Sequence, residues 1–176
     1  MRLETPLVTP ALELRTLEAR HAGGAYLAWM NDPQVMAFTE SRFARHDAAS
    51  LAAFIAAMNE SPANLLLGLF DRADDAHIGN IKLGPVESAH ARAFIGIVIG
   101  DRSRWGRGLA SQAIGAVARH GLTHLGLRRV LAGIYADNAG SLRAFRKAGF
   151  TEIARIPCHS RSGDAWVDDI IMARGA

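Results

Sequence analysis

The stretch Ile99-Gly100-Asp101-Arg102-Ser103-Arg104-Trp105-Gly106-Arg107-Gly108-Leu109-Ala110 constrains the fold more than any other part of the chain. An apolar, β-branched run, Arg92–Ile99, leads into it, and the clearest helical pattern, Arg107–Leu125, leads out. In that pattern Ala110, Ala113, Ile114, Val117, Gly121 and Leu125 recur at three- and four-residue steps, drawing one apolar stripe along a helix. Gly126 follows, where a helix C-terminus favours glycine. A strand that passes through a short glycine loop straight into an amphipathic helix implies a sheet packed against helices.

The same stretch carries chemistry. Gly106 and Gly108 have no Cβ, so their backbone can approach a ligand closely. The first helical turn leaves N–H groups without intrahelical partners, and with the helix dipole they favour an anion. Arg102, Arg104 and Arg107 add positive charge. The charge of the whole chain is a mild +3, but it is unevenly spread. Residues 101–147 hold nine basic and two acidic side chains, against eight and eleven in residues 1–100 and three and four in residues 148–176. A phosphate or pyrophosphate is the natural occupant of such a loop; glycines that merely permit a tight turn are the alternative. A Walker loop would need a Lys that is missing, and a dinucleotide fingerprint would need glycine where Ser111 stands.

Around this centre the pattern predicts strands at Ala11–Leu17, Asn64–Phe70, Ile78–Val86, Arg92–Ile99 and Arg129–Ala136, and a closing pair at Phe150–Pro157 and Trp166–Met172. Helices are predicted at Ala19–Met30, Asp47–Asn59, Arg107–Leu125 and Ala139–Ala148. That order gives a single α/β domain over residues 1–176, with a mixed, mainly antiparallel twisted sheet flanked by helices. Apolar residues at 49% and charged residues at 21% match a packed domain rather than a disordered chain. One cysteine, Cys158, excludes an internal disulfide framework and a cysteine-rich zinc module, and it is expected to be small and buried. No metal site is expected. No apolar run is long enough for a membrane span and the N-terminus has no signal-peptide core, so a cytoplasmic location is expected.

A second motif follows the first: Asp137-Asn138-Ala139-Gly140-Ser141-Leu142-Arg143-Ala144-Phe145-Arg146-Lys147-Ala148-Gly149-Phe150. Together the two segments resemble the GNAT superfamily of acetyl-CoA-dependent N-acetyltransferases. The family's phosphate loop, Q/R-x-x-G-x-G/A, is matched at Gly108 and Ala110. Trp105 departs from Gln or Arg, as in the branch similar to ribosomal-protein-alanine (Rim-type) acetyltransferases. The second signature, Asn followed three residues on by Ser and then by a helix ending in Gly-Phe, is matched at Asn138, Ser141, Gly149 and Phe150. The resemblance spans nearly the whole chain.

The resemblance implies acetyl-CoA as co-substrate and a primary amine as acceptor: a protein N-terminus, or a small molecule such as an amino sugar, a polyamine or an antibiotic. It implies that the strand ending in Ile97, Val98 and Ile99 lies along the pantetheine arm, and that a strand N–H near Val98 or Ile99 meets the oxyanion. Trp105, Gly106, Arg107, Gly108, Leu109 and Ala110 would cradle the pyrophosphate, with Arg102, Arg104 and Arg107 neutralising phosphate charge. Asn138 would contact the cofactor, or only cap its helix, or do both. Many members carry a Tyr that protonates the leaving thiolate, but Phe145 stands there, a core residue by character. Ser141, one turn earlier, is the alternative donor, unless it only bonds backbone.

Arg143, Arg146 and Lys147 read as a solvated helix face with some reach toward the phosphates. Glu87, His90 and Asp101 are candidate bases because they flank the thioester strand, and His159 and Asp168 are candidates for the acceptor cleft. On the acceptor side the first third of the chain offers Trp29, Asp32 and Phe38, with Asn31, Glu40 and Phe43 nearby; core packing competes for the aromatics. The expected partners are acetyl-CoA and the amine, with no nucleic acid and no membrane, in a monomer or homodimer. Three other readings stay open: a different acyl donor, a non-catalytic CoA-binding regulatory module, and a nucleic-acid binder. The last lacks a base-stacking aromatic platform in its basic segment.

Overall fold

Glycines and the alternation of apolar residues set most element boundaries in the computed structural model, which describes residues 1–175. The strands are β1 (Leu7–Val8), β2 (Leu12–Thr16), β3 (Leu65–Asp71), β4 (His77–Leu83), β5 (Arg92–Ile99), β6 (Arg129–Tyr135), β7 (Thr151–Ser162) and β8 (Ala165–Gly175). The helices are α1 (Gly24–Met30), α2 (Pro33–Met36), α3 (Ala48–Glu60), α4 (Leu109–Thr123) and α5 (Ala139–Lys147). Among the described residues the strands form one sheet in the order β1-β2-β3-β4-β5-β6-β8-β7. Every neighbouring pair is antiparallel except β5 and β6, which are parallel. The exception follows from connectivity, because α4 carries the chain between them and returns it in the same direction. The fold is thus the mixed, mainly antiparallel α/β sheet that the sequence predicts.

One core lies between the sheet and α4 and α5. Leu109, Ala113, Ile114 and Val117 of α4 pack there with Leu67, Ile81, Ile95, Val130, Ile134, Ile170 and Met172 from the strands. Gly121 lets α4 lie close to the sheet: a Cβ there would come 3.1 Å from Leu127 and 3.3 Å from Leu83. A smaller core on the other face joins Tyr26, Leu51 and Ile55 to Leu17, Leu66 and Phe70. Because side chains alternate along a strand, Val130, Ala132 and Ile134 of β6 face α4 and α5, whereas Leu131, Gly133 and Tyr135 face the other way.

Several boundaries differ from the sequence pattern. The stretch Ala19–Met30 divides into a 3-10 turn, Ala19–Ala22, and α1, because Gly24 sits at φ 55°. β4 stops at Leu83 because Gly84 adopts φ 141°. The short β1 and α2 carry too few residues to show a period. The closing hairpin is longer than predicted, and Cys158 is exposed rather than buried. It sits at φ 47°, where the β7–β8 register shifts between Ile156 and Ser160.

Candidate active site

The sheet parts along one seam. β5 pairs with β6 only through Arg92, Ala93 and Phe94, opposite Arg129, Val130 and Leu131. Beyond Phe94, β5 stays with β4 up to Ile99, while β6 stays with β8 up to Tyr135. An opening lined by strand backbone results. Parity decides which groups face it. Phe94 O accepts from Gly84 N (2.8 Å) and Gly100 N donates to Ile78 O (2.8 Å), both toward β4. Even-numbered residues of β5 therefore bond to β4, and Val98 exchanges its hydrogen bonds with Asn80. Ala91 O accepts from Arg128 N (2.7 Å) on the β6 side. The N–H groups of Ile97 and Ile99 consequently point into the opening, whereas that of Val98 does not. A row of unpaired strand groups is a template for an added extended chain.

The glycine loop closes one end of this opening. Gly106 and Gly108 adopt φ 77° and 76°, a left-handed backbone that favours glycine. Gly108 occupies the N-cap of α4 with no side-chain cap. The amides of Gly106 through Ser111 donate to no protein group among the described residues. A Cβ on Gly106 would meet nothing within 4 Å, so the backbone is bare to a ligand.

The arginines do not share one role. Arg104 is held by three carboxylates, those of Asp71, Asp74 and Asp101, and its side chain is only 16% exposed. The hydrogen bond from Arg104 holds Asp74 below the usual carboxylate range, and bonds from Ser103 and then Arg104 do so for Asp101. Arg104 thus ties the loop to the β3–β4 turn, and its fork is not free for a phosphate, a correction to the sequence expectation. Arg102 lies 5.8 Å from the Trp105 ring centre. The Trp105 indole donates to Ile99 O at 2.8 Å, which fixes the loop on the end of β5. Arg107 is exposed. Lys147, read from sequence as part of a solvated face, reaches the loop: its Nζ lies 3.5 Å from where a Gly108 Cβ would be.

At the start of α5, Asn138 is the N-cap, its Oδ1 accepting from Ser141 N at 3.0 Å. Ser141 is half-buried and its Oγ makes no hydrogen bond to protein among the described residues. Phe145 is 2% exposed and packs edge-on against Phe150 in the core.

Across the opening, Tyr135 ends β6. Its hydroxyl donates to Glu40 and accepts from Arg42 Nη1 (3.1 Å), and Phe38 packs edge-on to its ring. Burial, followed by the Glu40 bond, pushes the Tyr135 pKa up, so the phenol stays protonated. Phe38 is 39% exposed. Asp32 instead caps α2, accepting from Gln34 N at 2.8 Å. Trp29 lies over Gly100, where a Cβ would come within 2.0 Å of the indole. It also contacts His77, whose pKa burial lowers.

The candidate bases are mostly occupied or misplaced. Glu87 pairs with Arg92, and His90 follows it, both before the start of β5 and so at the end away from the loop. Asp168 pairs with Arg155 and accepts from Cys158 N. Among the described residues no group of three or more His, Cys, Asp or Glu could hold a metal, and no helix is long and apolar enough to cross a membrane.

Residues 11–151 match the acetyltransferase (GNAT) domain family. The chain belongs to that family. It is 30% identical over 145 residues to the uncharacterized N-acetyltransferase YoaA of Bacillus subtilis, covering 82% of this chain and 81% of YoaA. It is 31% identical over 107 residues to the probable N-acetyltransferase YjcK of the same organism, covering 60% of this chain and 59% of YjcK, less than two thirds of its length. Among solved structures, RimL, a ribosomal L7/L12 alpha-N-protein acetyltransferase in complex with coenzyme A, aligns with a TM-score of 0.84. At 18% identity over 97% of each chain, that likeness shows the fold.

Within this GNAT domain the structure brings together Ile97, Ile99, Trp105, Gly106, Gly108, Leu109 and Ala110 around the opening and its loop, while Asn138 and Ser141 start α5 just past the end of β6. It sets apart Arg104 and Asp32, which serve ion pairing and capping. The sequence reads Lys147 as a solvated residue with only some reach toward phosphate, and assigns no site role to Tyr135 or Asp169. The first is legible only once α5 is laid against α4. The other two depend on which strand faces share a side.

Proposed function

We propose that this GNAT domain transfers an acetyl group from acetyl-CoA to a primary amine by direct attack in a ternary complex. The observation that carries the reading is the parting of β5 from β6 beside an uncapped helix N-terminus. The unpaired backbone of β5 suits an extended arm bearing amides. The bare amides of Gly106 through Ser111, with Arg102, Arg107 and Lys147, suit phosphate. The coenzyme A bound to RimL, a structural neighbour, supports the same reading.

The chemistry needs a neutral amine, a stabilised oxyanion and a protonated leaving thiolate. We assign the Ile97 N–H, the one farther from the glycine loop, to the carbonyl oxygen and leave the Ile99 N–H to an amide of the arm, since a fixed backbone donor lowers the cost of charge that develops on that oxygen. We assign Ser141 to the sulfur, because its hydroxyl is free of protein bonds at the start of α5. An α-amine, with a pKa of about 7.7–8.0, asks less of a base than a lysine near 10.4. A protein N-terminus, as the RimL name records for that protein, and a small-molecule amine both fit this demand. Incubation of the full chain with acetyl-CoA and a panel of amines, read as free thiol, tests the reading. Saturable thiol release with at least one amine supports it; saturable CoA binding with no release above hydrolysis overturns it.

A further inference from the structure

On the acceptor face of the sheet one carboxylate stands without a partner. The Oδ1 of Asp169 is buried and has no hydrogen-bond partner among the described residues. No salt bridge includes Asp169 among the described residues. Leaving a buried carboxylate oxygen unpaired is costly, so a native site that keeps one commonly holds it for something that arrives later.

Its place in the sheet says where. Asp169 of β8 stands directly opposite Tyr135 of β6, and opposite Ile156 of β7. Cross-strand partners share a face, so Asp169 lies beside Tyr135, on the side away from α4 and α5. Asp168, its neighbour, points the other way and pairs with Arg155. The cation near Tyr135 is Arg42, and its guanidinium is spent on Tyr135 OH, Thr39 O and Arg161 O. It does not pair with Asp169.

Two glycines leave room on that face between the opening and β8. Gly96 of β5 and Gly133 of β6 flank the parted strands on this same face, by the alternation that buries Ile95 and Ile134 on the other. A Cβ at Gly96 would meet nothing within 4 Å, and one at Gly133 only Ile171, at 3.8 Å. Neither has a positive φ. Glycine in a strand interior weakens the strand, and where the backbone does not require it, space for a ligand is its use.

We propose that Asp169 receives a second cationic group of the acceptor, whose reacting amine lies in the opening between β5 and β6, so that the acceptor is an aliphatic di- or polyamine. With strands about 4.8 Å apart and room for one more chain between β5 and β6, β8 lies roughly 10 Å from the middle of that opening; an ion-pair contact of about 3 Å leaves roughly 7 Å, the span of a short α,ω-diamine. This rests on the acetyl-transfer reading above and adds the acceptor's chemical class to it.

The test compares 1,4-diaminobutane with butylamine, in two measurements on the full chain. Calorimetric titration into the CoA-saturated protein reads binding, and thiol release with acetyl-CoA reads turnover. The wild type should favour the diamine at least about tenfold in both. The D169N variant keeps the shape of the side chain and loses its charge. It should bring the two amines to parity through a rise in KM for the diamine, with the acetyl-CoA KM as internal control. Since the buried Oδ1 of Asp169 accepts no bond among the described residues, the Tm of D169N should hold or rise; a merely structural aspartate would lower it. A second variant, G133L, should shut out both amines by filling that room. Equal use of the two amines by the wild type, or a diamine preference that survives in D169N, overturns the proposal and leaves acetyl transfer standing. Charge-dependent diamine binding without thiol release from any amine overturns acetyl transfer and leaves the subsite standing. Neither binding nor release overturns both.

Discussion

At the scale of single residues, Arg104 and Ser141 show how a side chain's partners fix its job. Arg104 lies in the glycine loop that the proposed function gives to phosphate, yet Asp71, Asp74 and Asp101 take up its donors. Its work is to hold the loop in the shape that bares the amides, with Asp101 also capping the 3-10 turn Arg102–Arg104 through Ser103 N at 2.9 Å. Arg104→Gln should therefore raise the acetyl-CoA KM several-fold while kcat changes little, because in the proposed function the loop holds the cofactor's phosphates, far from the reacting carbon. A fall in kcat at unchanged KM would assign Arg104 to the chemical step instead. Ser141 presents the opposite case. Asn138 bonds its amide and leaves its hydroxyl free. If that hydroxyl protonates the thiolate, Ser141→Ala should lower kcat by about a hundredfold, the usual scale of general-acid help. The acetyl-CoA KM should stay near the wild-type value, and unchanged kcat would remove Ser141 from the mechanism.

At the scale of elements, glycines position the site through the contacts they permit. Trp29 of α1 lies over Gly100 at the end of β5, so α1 is seated on the strand that lines the opening. Gly100→Ala puts a methyl within 2.0 Å of the indole. It should cost about 1–3 kcal/mol, as overpacking does, and be seen as a lower Tm together with a raised amine KM. A Tm equal to that of the wild type would show that α1 is free to move away. The sequence displays elements such as α4 and β5 because their apolar periods run long enough to read. Both glycine motifs are legible for the same reason: each sits at a junction between two such periods. Strand parity across the sheet is less legible. The sequence marks Asp168 as an acceptor-side residue, but the register turns it to the α4 and α5 face and presents Asp169 instead. One position along a strand reverses the face, and only the pairing partner fixes which face is which. Lys147 and Arg104 are hard to read for another reason, since Gly108 lies 39 residues from Lys147, and Asp71 and Asp74 lie 33 and 30 residues from Arg104.

At the scale of the whole molecule, the sheet is two sheets joined at one end. Three residue pairs connect β5 to β6, and past Phe94 the strands diverge, while α4 packs across both halves through the main core. The helix holds the gap open: closing it would need β6 to move toward β5 against a packed core, and packed cores deform little. An open gap has a signature in amide hydrogen exchange. Val98 is bonded to Asn80 within the β4–β5 ladder, whereas Ile97 and Ile99 turn their N–H groups to the gap. In the free protein Val98 should exchange slowly, and Ile97 and Ile99 at least about a hundredfold faster, as expected for exposed groups beside a protected ladder. Saturation with CoA should slow Ile97 and Ile99 if an extended arm pairs with them, and should leave Val98 nearly unchanged. Equal protection of all three in the free protein would mean that the strands close in solution. No change on adding CoA would separate cofactor binding from the gap and leave the glycine loop to bind it alone.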